Sequence, residues 1–331
     1  MWRRLIITLV WGCAAAGVTC AQEKAARPAA DLNKYAVIVS GASGEAEFAK
    51  RFKQWTMELH GALVGRYGFD HSRVTVLTEA PDAGGLRATA EDVRRAFQTL
   101  RASAGPDSTV FVFLIGHGTF DGRQAKFSLV GPDLPAAEYA ELLGGLPSRR
   151  VIVFNMASAS GEFIKPLSAR GRVVVTATRS GQEQNATRFP EHFIAALGSR
   201  DSDSDQNGRV SVLEAFDYAS RLTAEQYKRA GRLATEHALL DDSGDGVGHP
   251  AAEGGDGALA RSTYLDSLSV EQAASNAETA RLLRERERLE GEVEQLKSRK
   301  GLLAEAEYEA ELERLFVSLA KVNRVIKRGA Q

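Results

Sequence analysis

Cysteine is almost missing from this chain. Both of its cysteines, Cys13 and Cys20, fall within the first 20 of 331 residues. Nothing downstream can form a disulfide framework or supply a thiol nucleophile. An excess of charge is missing too: 42 basic and 43 acidic residues leave a net charge of −1. That argues against a nucleic-acid binder working through bulk electrostatics. Beyond residues 5–18 no apolar run is long enough to suggest a transmembrane segment. The Gly41-Ala-Ser-Gly44 turn could seat a phosphate at a helix start, but it lacks a dinucleotide fingerprint's third glycine and a P-loop's Lys-Ser/Thr.

What is present begins with Met1-Trp-Arg-Arg4, a basic start before the apolar residues 5–18, with Thr19-Cys-Ala21 ahead of Gln22. This is the pattern of a cleaved secretory signal over 1–21. It predicts a periplasmic or secreted protein without cysteine in its mature form. A lipid anchor at Cys20 is the alternative, to which Gly17-Val-Thr is a poor match. Residues 22–33 read as a linker. From 34 to 230 apolar runs alternate with helix-period stretches. The clearest runs are Thr109-Val-Phe-Val-Phe-Leu-Ile115, ending in Gly116-His117-Gly118, and Arg149-Arg-Val-Ile-Val-Phe154, ending in Asn155-Met-Ala-Ser-Ala-Ser-Gly161. Continuous β-branched and aromatic runs read as strands buried on both faces. The expected fold is α/β: a doubly wound, mainly parallel sheet in three α/β/α layers. In such sheets chemistry collects beyond the carboxyl ends of the strands, where His117 and Ser158 fall.

A strand ending in His-Gly, then a strand ending in a nucleophile followed by x-Ser-Gly, resembles the legumain and caspase group of cysteine peptidases. Ser158-Ala-Ser-Gly161 falls where the legumain pattern has Cys-x-Ser-Gly. Ser158 follows His117 by 41 residues, closer to legumain than to the roughly 50 of caspases. The likeness runs from Tyr35 to about Leu197, about half of the chain. It implies a caspase-like fold and a peptide or protein substrate or ligand. It makes His117 the base and gives the oxyanion the backbone N–H groups of Gly118 and Ser158. Ser43 stands where the family has an asparagine that orients the histidine. Met156 stands where an acidic residue lines the legumain specificity pocket. The catalytic cysteine is replaced by Ser158.

Residues 203–214 carry their own pattern. Asp203, Asp205 and Asn207 stand at positions 1, 3 and 5, Gly208 at 6, Arg209 at 7, Ser211 at 9 and Glu214 at 12. Several oxygen ligands, a glycine for the sharp turn and a final carboxylate make an EF-hand-like calcium loop. The alternative is an acidic loop with Ser211 capping a helix. Residues 231–265, rich in Gly and Asp, read as a linker. Leu282, Leu289, Leu296 and Leu303 recur every seven residues, as do Leu312, Leu319 and Ile326. Hence 266–331 is expected to form an α-helical coiled coil or a helical hairpin, serving self-association, a protein partner, or only its own packing.

Three functional readings follow. The first is an exported peptidase homologue, weak or inactive, acting as a binding or scaffold module. The second is an active serine-type peptidase or hydrolase using Ser158 and His117. The third is a flavodoxin-like or Rossmann-like binding domain with His117 a packed turn residue.

Overall fold

A computed structural model describes residues 30–206, 209–266 and 303–329, with parts of 281–296. The signal segment 1–21, most of the 22–33 linker, and Asn207 and Gly208 lie outside the described residues. A seven-stranded sheet is the frame. It comprises β1 (Lys34–Ser40), β2 (Val74–Thr78), β3 (Leu86–Arg87), β4 (Thr109–Ile115), β8 (Arg150–Asn155), β9 (Arg172–Thr176) and β10 (Leu239–Asp241). The order is β10-β9-β8-β4-β1-β2-β3. Every neighbouring pair is parallel except β10 with β9. A small antiparallel sheet of β5 (Gly118–Phe120), β6 (Ala125–Phe127) and β7 (Leu134–Pro135) follows directly on β4.

Both faces of the large sheet are covered, which is why its strands read as unbroken apolar runs. Ile38, Phe111, Phe113, Phe154 and Val175 pack under α1 (Ala46–Gly65), α5 (Phe189–Ala196) and α6 (Val212–Arg229). Their neighbours Val37, Val110, Val112, Val153 and Val174 face the other way. They meet α2 (Ala90–Ser103), α3 (Ala136–Gly144) and α4 (Ile164–Leu167). The chain winds from β1 out to β3, then crosses back to β4 on β1's other side. The point of reversal therefore lies between β1 and β4, where their carboxyl ends open a crevice.

Residues 231–265 are not the expected linker. Leu239–Asp241 is the edge strand of the large sheet, pairing with Val174, Val175 and Thr176, and Leu240, Ala260 and Leu265 are core. The aspartates close turns rather than loosen them. Asp242 accepts from the N–H of Gly257 (2.7 Å) and Ala260 (2.6 Å), opening α7 (Ala258–Arg261). Asp256 accepts from the N–H of Asp242 and Ser243, both 2.9 Å. Its other oxygen accepts from His249 Nδ1 at 2.7 Å. The exit segment is anchored by Lys34, whose ammonium, its pKa pushed down to about 8 by burial, donates to the carbonyls of Leu265 (2.7 Å) and Asp266.

The Asp256 carboxylate holds His249 above its ordinary pKa, with Glu253 and Asp245 adding to it. A raised histidine pKa stabilises the fold below the unfolded value of about 6.5, and the gain fades as pH rises through the folded value. Wild type should therefore exceed His249→Gln in thermal midpoint most at roughly pH 5 and least at roughly pH 8. Thermal melts of both proteins across that range check it; a constant gap would refute the linkage.

In the C-terminal part, Leu289, Val293 and Leu296 share an apolar cluster with Leu315 of the helix Glu305–Gly329. The tail folds back on itself, and its heptad leucines Leu303, Leu312 and Leu319 pack at the cluster's border. Among the described residues no helix is long and apolar enough to cross a membrane.

Candidate active site

The crevice between β1 and β4 receives Ser43 from the turn after β1 and His117 from the turn after β4. Ser158 lies one strand over, beyond β8. His117 is half-buried. Its ring sits 4.7 Å from Phe48, edge to face, and 5.1 Å from Phe52, both one helical turn apart on α1. The backbone carbonyl of Ser43 faces the ring. Burial lowers the histidine pKa, offset by that carbonyl and by Glu45, so the neutral base dominates near neutral pH. Ser43 contributes its main chain to the histidine, while its side chain turns to Glu79. Its Oγ donates to Glu79 Oε2 at 2.5 Å, and its N–H donates to the same oxygen at 3.3 Å. Glu79, just beyond β2, thus holds the residue whose carbonyl faces His117. The sequence offered no signal for Glu79, because its role depends on β2 lying beside β1.

Ser158 is only 2% exposed. The N–H of Gly118 donates to its Oγ at 3.1 Å, and Oγ donates back to the Gly118 carbonyl at 3.1 Å. The hydroxyl is laid along the Gly118 main chain. A side chain at 118 has no room, since a Cβ there would fall 2.4 Å from the Ser158 carbonyl. Among the described residues no hydrogen bond joins His117 to Ser158. His117 and Ser158 are brought to one end of the sheet, but the Ser158 hydroxyl is engaged with the Gly118 main chain.

The turn after Ser158 is clamped. Ala159 takes a left-handed conformation (φ 53°), and its N–H donates to the Glu183 carbonyl at 2.8 Å. Ser160 Oγ accepts from the N–H of Ala177 (3.1 Å) and Thr178 (3.2 Å). The N–H of Gly161 donates to Thr178 Oγ1 at 3.0 Å. So x-Ser-Gly staples the turn to the end of β9. The following loop is tied over it by Glu162, which accepts from Gly181 N–H at 3.0 Å, and by Glu183, which pairs with His237 at 2.5 Å. Met156 is fully buried in the core; it offers nothing to an open pocket, and its carbonyl accepts from Thr187 Oγ1 at 2.7 Å.

The residues 203–214 form a separate centre. Carboxylate oxygens of Asp203, Asp205 and Glu214 lie within 4.8 Å of one another, an all-oxygen set that fits a metal ion. Glu214 also serves the helix: it completes a capping box with Ser211 at the start of α6 and accepts from the N–H of Ser204 (2.9 Å) and Asp205 (3.2 Å). Arg209 commits its guanidinium to Asp266 (2.5 Å) and to the ring of Tyr264 (3.8 Å), leaving its carbonyl as its only ligand. Asp266 also meets Lys34, the first residue of β1. The centre therefore lies toward the amino ends of the strands, away from Ser158.

No family model matches the chain, and no curated protein does. Among solved structures, protein GSU0716 from Geobacter sulfurreducens aligns with a TM-score of 0.42 at 11% identity, covering 63% of this chain and 92% of its own.

Proposed function

We propose that the chain is an exported homologue of the legumain and caspase peptidases that works as a binding or scaffold module with little or no hydrolytic turnover. The observation that carries this reading is the double hydrogen bond of Ser158 Oγ to Gly118. A serine hydroxyl needs a base within hydrogen-bond reach to attack a carbonyl. Here it is spent on the main chain, where it also occupies the N–H that would receive the oxyanion. A peptide would still find the strand-end crevice, with its histidine, as a docking place. The tail helices give the module its contact surface for a protein partner or another copy. The second reading, a working serine hydrolase, is favoured by the depressed pKa of His117, which keeps the base neutral. A fluorophosphonate probe decides between them: no labelling of the intact protein is expected, and His117-dependent labelling of Ser158 would establish the hydrolase.

Calcium is the ion we assign to the Asp203, Asp205 and Glu214 centre, as a structural ligand joining the 203–214 loop to α6. Saturating calcium at about 100 times its Kd should add about 2.7 kcal/mol and raise the thermal midpoint by roughly 5–10 °C. Asp203→Ala, which spares the capping box, should lose that rise. An equal calcium response in both proteins would remove the assignment.

A further inference from the structure

The helix Glu305–Gly329 has two apolar faces, and the described residues cover one. Leu315 turns to Leu289, Val293 and Leu296. Phe316 and Val317 are left 49% and 45% exposed. With Ala320, and with Glu309 and Glu313 on the flank, they line a shallow open depression. Residues 309, 313, 316, 320 and 324 recur at steps of three and four, so they share this uncovered face.

The charge along the helix is polar in a way the face makes meaningful. Glu305, Glu307, Glu309, Glu311 and Glu313 precede Phe316, with Arg314 among them paired to Glu311; Lys321, Arg324, Lys327 and Arg328 follow it, with no acidic residue after Glu313. A helix favours acidic residues at its start and basic ones at its end, but that effect fades within the first and last turn. Glu313 and Lys321 lie in the middle turns. The exposed apolar pair sits halfway along, between the two charged halves.

We propose that this face binds a second copy of this chain, helix against antiparallel helix, about a twofold axis near Ser318. Such an interface is self-complementary. Phe316 of each copy lies over the small Ala320 of the other, and Glu313 of each faces Arg324 of the other. A parallel pairing would set Glu313 against Glu313. An anionic lipid surface would meet Glu309 and Glu313 beside the apolar pair and be repelled. The second copy supplies both the apolar surface and the opposite charge. The inference deepens the reading of the tail as a contact surface and is independent of Ser158, so labelling by a fluorophosphonate probe does not bear on it.

The test is molar mass by sedimentation equilibrium of the full chain over a concentration series. Wild type should approach twice the monomer mass. Phe316→Glu, on the solvent side of the tail, should be monomeric with its helical circular dichroism unchanged. Glu313→Arg should weaken the dimer at least about tenfold, and adding Arg324→Glu should restore it. A wild type that stays monomeric, a Phe316→Glu protein that stays dimeric, or a reversed pair that fails to recover would each overturn the proposal.

Discussion

Replacing Ser158 by cysteine is expected to give measurable peptidase or esterase activity, with wild type much weaker. The slot along Gly118 accepts a hydroxyl, with oxygen 3.1 Å from both the N–H nitrogen and the carbonyl oxygen. Sulfur is larger and its bond to carbon longer, so the thiol fits that slot less well and is expected to turn toward the crevice. Two things then change together. The Gly118 N–H is freed for an oxyanion, and the nucleophile becomes one that ionises without a tightly bonded base. The gain over wild type should reach about 10²-fold, the lower end of what positioned acid–base assistance contributes. His117→Ala in the Ser158→Cys background should abolish it. Substrates with varied P1 side chains are needed, because Met156 is buried and gives no basis for choosing one. Equal turnover of wild type and Ser158→Cys would favour the serine-hydrolase reading. An inactive Ser158→Cys protein with an intact fold would mean that the crevice no longer admits a scissile peptide.

Much of the sheet was legible because its strands are buried on both sides. Thr109–Ile115 and Arg150–Asn155 leave continuous apolar runs that no exposed strand would keep. His117 and Ser158 were legible for a related reason: small-residue turns punctuate those runs. The edge strand Leu239–Asp241 was not legible. It is three residues long and sits beside a Gly- and Asp-rich stretch that composition alone reads as loose. Its order comes from Asp242 and Asp256 accepting backbone N–H groups brought together over 13 to 18 residues. Glu79 was hidden in the same way. One glutamate after a strand carries no pattern; its meaning arises when the crossover through α1 sets β2 beside β1. Ser43 lies beside His117, but its carbonyl, not its hydroxyl, faces the histidine, and side-chain identity says nothing about a carbonyl.

Gly161→Ala is expected to cost more stability than any other single methyl group added at the site. Gly161 has no left-handed backbone to explain it; the reason is contact. A Cβ at 161 would lie 2.2 Å from the Arg179 carbonyl carbon, 2.4 Å from Ser180 N and 2.5 Å from the Arg179 carbonyl oxygen. All three are main-chain atoms, so no side chain can step aside. The two segments are also pinned to each other, by Gly161 N–H to Thr178, by Ser160 to Ala177 and Thr178, and by Ala159 N–H to Glu183. Making room must break some of those bonds or drag the end of β9. Overpacking of this kind costs about 3 kcal/mol or more, which should lower the thermal midpoint by roughly 6–12 °C. Ser160→Ala removes acceptors from two buried N–H groups without adding volume and should cost about 1–3 kcal/mol. Melts of both variants beside wild type test the order. A Gly161→Ala protein as stable as wild type would mean that the Ser158 turn and the loop after β9 are not in backbone contact. The staple that keeps Ser158 against Gly118 would then lose its physical basis.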